Sequence, residues 1–467
     1  MGKVLSHIVF TLLFLSLSVE KLNAQDIFRS VCRGNIERVD SLLQMQSIDV
    51  LDNRGRSLLH WAVACKRNNS FDYLIERNIV TYHEDNQEST PLHMAVRYEN
   101  EHAFDILINL ETYSLWEFKI GPVLLETAIL IKSPPFVKKL IDEGVDINIP
   151  NTRGSIPVEI AERINSQEIF DYLVSAGADT NAIRRLRLVG EYMGQDAPEL
   201  ASTLFAPNFI STEESEFGSI FNAKGTEFYF GVDNFGKNEI RLSKLIDGVW
   251  TKPEVILSHP TYGYNDPFLS NDEQQLYFIS NHALDGIGER KDIDIWYVEK
   301  TVEDVWSEPI NVGSEINTSN NEYYISFTDQ GIMYFSSNGH NPDKQDYDIY
   351  FSTVINGEFQ TPKALPDEIN TDEYEADVFI SPDESYIIFT SVRAEGYGQG
   401  DLYISFKDSN DNWSESVNMG DSVNSEYYEY CPFVTKDGKF LFFTSNQDIY
   451  WVSTDFILEL KTQLDEN

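Results

Sequence analysis

Residues 219–230 read SIFNAKGTEFYF, and this stretch decides the fold because it recurs. The later copies are PFLSNDEQQLYF from Pro267, YISFTDQGIMYF from Tyr324, VFISPDESYIIF from Val378 and PFVTKDGKFLFF from Pro432. Each copy has an apolar anchor, a polar turn and a strand that ends in Phe. The pairs are Ile220 and Phe230, Phe268 and Phe278, Ile325 and Phe335, Phe379 and Phe389, Phe433 and Phe443. Successive anchors lie 48, 57, 54 and 54 residues apart. A period near 50 predicts a β architecture built blade by blade.

One unit starts as a β-hairpin. Its turn comes from Lys224-Gly225, Asn271-Asp272, Asp329-Gln330-Gly331, Pro382-Asp383 or Asp437-Gly438, residues that tolerate turn backbone angles. Its flanks are β-branched and aromatic, which suits a packed pleated surface. A third strand follows at Asn238, Asp294, Asp348, Asp401 and Asp448. A fourth is expected at Trp250 to Pro253, Trp306 to Pro309, Phe359 to Pro362 and around Trp413. Proline there belongs on an outer strand, where no ladder donor is needed. The fifth unit lacks this fourth strand, and a bare blade edge invites unwanted pairing. Residues 203–211, TLFAPNFIS, are expected to return as its outer strand and close the ring.

These units resemble the WD40-like (PD40) repeats of TolB-type β-propellers. SPDES at Ser381 and KDGKFLFF at Lys436 match that family's S-P-D-G-K turn and following strand. The resemblance covers about Val189 to Phe456 and implies an exported propeller. TolB is usually six-bladed and five units are counted here, so five or six blades are both open.

A second period lies between Asp26 and Asn181. Ala62, Ala95, Ala128 and Ala161 are spaced by 33 residues, as are Leu74, Leu107, Leu140 and Leu173. Small Ala lets two helices approach, and Leu fills the interface between repeats. Such spacing predicts an all-α solenoid of helix pairs. NRGRSLLHWAVA at Asn53 and STPLHMAVRYEN at Ser89 resemble ankyrin repeats. The resemblance implies that His60 and His93 cap and bridge turns rather than bind metal. The fourth repeat departs from the pattern, with GPVLLETAI at Gly121 and the unusual Trp116 and Phe118. The first unit, from Asp26, reads as an N-terminal cap.

The expected organisation is a signal peptide at 1–24, ankyrin repeats at 25–182, a linker at 183–202, the propeller at 203–458 and a tail at 459–467. The leader has Lys3, an apolar run from Ile8 to Val19 and a small-residue cleavage site at Ala24. That run is too short for an ordinary transmembrane helix. No Cys falls in this region, so a lipoprotein anchor is not expected. The mature chain is expected to be periplasmic or secreted, without membrane insertion. Cys32, Cys65 and Cys431 are expected to be three buried free thiols, because neighbouring repeats stand roughly 10 Å apart, beyond disulfide reach.

The formal charge is −41. Nucleic-acid binding needs a basic footprint, and this composition has none. Acidity on this scale favours solubility and cationic or metal-ion partners. No nucleophile elbow, paired-histidine zinc motif or phosphate loop is present, and no cofactor is expected. The Asp of each S-x-D-x-G-like turn reads as a turn former rather than a sialidase box.

Acidic residues precede the innermost strands. Glu216, Tyr264, Asn321, Glu375 and Glu429 stand four residues before the anchors, with Asp266, Glu322, Glu373, Asp377 and Glu426 nearby. Repeat geometry gathers them at one mouth of the central channel. Glu216, Tyr264, Asp266, Glu322, Glu375 and Glu429 are the candidate binding residues, and a cation at this mouth is one reading of them. Tyr427, Tyr428 and Tyr430 form either a rim contact surface or inter-blade packing.

Two functions remain open, and a calcium-stabilised propeller is a third possibility. The first is an exported, non-catalytic scaffold for protein partners, using the concave ankyrin face and the propeller mouth. The second is a carbohydrate-binding or glycoside-hydrolysing five-bladed propeller, since two carboxylates about 5–10 Å apart can hydrolyse glycosides.

Overall fold

Paired short helices fill the first part of the computed structural model, and small four-stranded sheets fill the second. The structure describes residues 26–110, 120–183, 188–233, 237–302, 305–341, 344 and 346–465. The expected leader, Trp116, Phe118 and residues 184–187 of the expected linker lie outside them. The chain divides into two compact units, Met1–Arg184 and Arg185–Asn467.

In the first unit, helix α1 (26–33) and α2 (Ile36–Leu43) form the opening pair. Helices α3 (Leu58–Ala64) and α4 (Asn68–Glu76), α5 (Pro91–Arg97) and α6 (Glu101–Leu107), α7 (Ile120–Leu130) and α8 (Pro134–Asp142), and α9 (Pro157–Arg163) and α10 (Gln167–Ser175) follow as pairs. The alanines and leucines of the 33-residue period are all fully buried in one continuous core. Polar side chains satisfy the helix ends and loops locally. The Asp52 carboxylate accepts from the Arg54 and Arg56 amides, and Asp85 and Asn151 repeat this at their own loop tips. His60 Nδ1 accepts from the Ser57 amide (3.1 Å), while Nε2 donates to the Ser89 carbonyl (2.9 Å) in the next repeat. Thr90 and His93 form the equivalent capping box.

The cysteine expectation is corrected here. Cys32 and Cys65 form a disulfide, with a Cα–Cα distance of 5.3 Å. Stacked helix axes are about 8–10 Å apart. Each Cα sits about 2.3 Å off its axis, so facing positions on neighbouring helices come within bonding reach. The cysteines end α1 and α3, the first helices of successive pairs. Cys431 is free and buried, as expected.

In the second unit, the five larger sheets are the blades of a five-bladed propeller, and Val354–Ile355 with Glu358–Phe359 forms a separate two-stranded hairpin. Blade 1 runs outward through Ser215–Phe221, Glu227–Asp233, Glu239–Ile246 and Glu254–Leu257. Blade 2 is Tyr264–Leu269, Gln275–Ser280, Asp294–Glu299 and Ile310–Asn311. Blade 3 is Glu322–Phe327, Met333–Ser337, Asp348–Ser352 and Lys363–Ala364. Blade 4 is Tyr374–Ile380, Tyr386–Val392, Asp401–Phe406 and Val417–Asn418. Blade 5 is Tyr430–Val434, Phe440–Ser445, Asp448–Ser453 and, from the far end of the unit, Thr203–Leu204. Thr203 pairs with Trp451 and Leu204 with Tyr450, antiparallel, so the expected closing strand is present. Phe205 follows it into the core against Phe221, Phe228, Phe442 and Trp451.

The outer strands differ from expectation. The W-x-x-P segments are the turns that lead into them. Trp250 pairs back on Leu245, and the outer strand of blade 1 begins at Glu254, just after Pro253. Residues 188–202, read as linker, pack on the propeller: Trp250 Nε1 donates to the Gly190 carbonyl, and Tyr192 meets Phe221 and Phe440 edge-on and Trp451 at a tilt. Helix α11 (Asp455–Asp465) begins before the expected tail and takes in most of it, and its first turn buries Phe456 and Ile457 in the same core.

Candidate functional site

Every inner strand carries a register shift at the same place, two residues after the Glu or Tyr that the sequence singles out. The residues there are Gly218, Asp266, Tyr324, Asp377 and Cys431, all with positive φ, between 41° and 53°. A bulge of this kind re-aims a side chain. Left-handed backbone is costly for residues other than Gly, and such strain gathers at functional sites.

These five positions converge from blades that are distant in the chain. Cys431 Sγ donates to Asp266 Oδ1 at 3.3 Å. Ligand atoms of Asp266, Asp377 and Cys431 all lie within 4.8 Å of one another. Tyr324 Oη donates to the Pro432 carbonyl at 2.9 Å. Only glycine fits at 218, because a Cβ there would sit 2.6 Å from Asp266 Oδ1. All five residues are buried, and none of the three ligand-bearing residues is more than 8 % exposed. Burial pushes the Asp266 carboxyl up to about 6 and the Asp377 carboxyl up to about 8, the latter helped by Asp266 beside it. Burial and the two carboxylates also raise the Cys431 thiol.

Half-buried tyrosines surround this trio. Tyr323 stacks on Tyr347 with centroids 4.9 Å apart, Tyr347 meets Tyr374 at 5.4 Å, and Tyr428 meets Tyr430 at 5.7 Å. The negative field of Asp377 bears on all five and raises their phenols, after burial as the main cause for each. Tyr428 and Tyr430 therefore belong to packing around the channel, while Tyr427 is exposed.

The candidate mouth residues separate into two kinds. Glu216, Glu322, Glu375 and Glu429 are wholly buried rather than gathered on an open mouth. Each clasps the residue four positions earlier. Glu322 accepts from the Thr318 amide (2.9 Å), the Thr318 hydroxyl (2.8 Å) and the Ser337 hydroxyl (2.8 Å). Glu375 does the same with Thr371 and Ser391, and Glu429 with Ser425 and Ser445. Glu216 takes the amide and hydroxyl of Thr212. Blade 2 replaces both partners together, with Pro260 and Tyr264. Tyr264 is buried against Phe278 and lines a cleft of about 580 Å³ with Trp306 and His259. Of the six candidates, only Asp266 enters the central cluster.

Sequence reasoning missed two things. One is the Thr/Ser-x-x-x-Glu spacing, which was legible in four units (Thr212, Thr318, Thr371, Ser425). The other is the Asn before it in three of them. Asn317, Asn370 and Asn424 each bind both the amide and the carbonyl of a third-strand residue in the preceding blade, Ile295, Ile349 and Leu402.

A family model for ankyrin repeats matches residues 27–115, in three copies. No curated protein matches the chain. Among solved structures, the human ASB11 ankyrin repeat domain is similar at 16% identity, over 33% of this chain and 69% of that one, with a TM-score of 0.28. The chain thus carries ankyrin repeats in its N-terminal region, followed by a five-bladed β-propeller.

Proposed function

We propose that the protein is an exported, non-catalytic scaffold for protein partners, bound on the concave ankyrin face and at the mouth of a TolB-type (PD40) propeller. The observation that carries this reading is the use made of the buried glutamates. Glu375 and Glu429, two of the carboxylates that the glycosidase reading would draw on, are wholly buried and take up backbone amides and hydroxyls of their own blades, with Lys344 and Arg393 also beside Glu375. A general acid must reach its substrate's leaving oxygen, and these do not approach solvent. The ankyrin stack supports the protein-partner half of the reading, since helical repeats present extended binding surfaces. The Cys32–Cys65 disulfide supports export, because such bonds persist in oxidising compartments.

The test places a photo-crosslinking residue at the exposed loop-tip positions Arg54 and Gln87 of the full chain in its native host. The expected result is a discrete crosslinked protein from the envelope or secreted fraction, lost when neighbouring tip residues are changed to Ala. Retention of the chain in the cytoplasm, or recovery of glycan in place of protein, overturns the reading.

A further inference from the structure

We propose that Asp266, Asp377 and Cys431 form a binding site for one zinc-like divalent cation where the inner strands of three blades converge. Three blades supply one ligand each, and the three ligand atoms lie within 4.8 Å of one another. The Asp377 carboxylate is the second observation. It is 8 % exposed, points into the cluster and has no hydrogen-bond or ion-pair partner among the described residues. A buried polar group without a partner is costly, and coordinating a metal ion is one way to satisfy it.

The geometry suits a tetrahedral ion. Zinc–sulfur and zinc–oxygen bonds of about 2.3 Å and 2.0 Å place tetrahedral S and O ligands about 3.5 Å apart. Cys431 Sγ and Asp266 Oδ1 are 3.3 Å apart already. Rotation of the Asp377 carboxylate brings the third donor in, and water completes the fourth position. The thiol selects against calcium and magnesium, which take oxygen ligands. On binding, the thiol proton and any carboxyl proton leave to solvent, so a divalent charge replaces them beside two carboxylates and a thiolate.

The positions also explain the repeated bulge. Where the other two blades place Gly218 and Tyr324, one makes room for Asp266 and the other ties its hydroxyl to the Pro432 carbonyl. Neither occupies the space between the three donors with a competing charge.

The experiment strips the full mature chain, with its disulfide intact, of metal by a chelator and titrates Zn²⁺, then Co²⁺. With Cys32 and Cys65 joined, Cys431 is the only free thiol of the three cysteines. A Co²⁺–thiolate absorption band therefore reports this site alone. One equivalent of Zn²⁺, a Co²⁺–thiolate band and no displacement by Ca²⁺ are expected. Asp377→Asn should lower Zn²⁺ affinity at least tenfold, and Cys431→Ser should abolish the band. No uptake by the wild-type chain, no thiolate band, or displacement of Zn²⁺ by Ca²⁺ overturns the proposal. Those wild-type outcomes decide the matter even where a variant fails to fold.

Discussion

The two units solve the same problem, buried polar atoms in a repeat protein, in opposite ways. In the ankyrin unit, Asp52, Asp85 and Asn151 each serve amides two and four residues ahead, and His60 reaches only the next repeat. In the propeller, the serving groups sit where blades join: Asn317, Asn370 and Asn424 grip the preceding blade, and Glu322, Glu375 and Glu429 fix the loop into the next. An open stack needs only neighbour contacts, and its stability is close to a sum of local terms. A closed ring adds the Thr203–Leu204 strand, which ties opposite ends of the unit together. Damage should therefore stay local in the first unit and spread through the second.

The largest expected effect tests the closure. Phe205 is fully buried among four aromatic rings beside the closing strand. Phe205→Ala should cost about 3–5 kcal/mol. The whole propeller transition should move in calorimetry while the ankyrin transition stays put. Movement of only part of the propeller signal would break the comparison.

Next comes the disulfide, which closes a loop of sequence separation 33. Its loss in Cys32→Ser/Cys65→Ser should cost about 3–4 kcal/mol by the chain-entropy account. The change should appear in the ankyrin transition alone. A matching shift in the propeller would show that the units do not unfold separately.

Glu429→Ala removes the acceptor for the Ser425 amide and the hydroxyls of Ser425 and Ser445. Stranding these donors should cost about 3 kcal/mol. Glu429→Gln keeps the acceptor oxygen and should recover part of the loss. Equal losses in both variants, measured by denaturant unfolding, would assign the role to charge instead.

The last test is a contrast in the direction of pH dependence. Burial, with Glu214 and Asp448 nearby, pushes Glu216 up to about 8 from 4.5, and burial pushes Glu322 up to about 7. A raised carboxyl binds its proton more tightly folded than unfolded. Its contribution is full below 4.5 and is lost as pH rises through 7 to 8. Burial lowers His60 and His93 below 6.5. Their contribution is present above 6.5 and is lost as pH falls through their folded values. Raising pH from 5 to 9 should therefore lower the propeller midpoint and raise the ankyrin midpoint. Parallel shifts in a pH series of thermal scans would remove the contrast.

Much of the architecture was present in local spacing. The 33-residue alanine and leucine period and the recurring anchor-to-Phe unit are packing patterns, and packing patterns repeat along a chain because each repeat meets the same neighbour. The missing outer strand of the fifth unit also announced the closing strand, since an unpaired edge is unstable. Tertiary structure decided what depends on distance through space. It paired Cys32 with Cys65, because facing Cα atoms lie closer than helix axes. It buried Glu216, Glu322, Glu375 and Glu429 in the blade joints, where their position before the inner strand suggested a mouth. It also brought Asp266, Asp377 and Cys431 together. Their common bulge position can be read one blade at a time, but their convergence exists only once the ring closes.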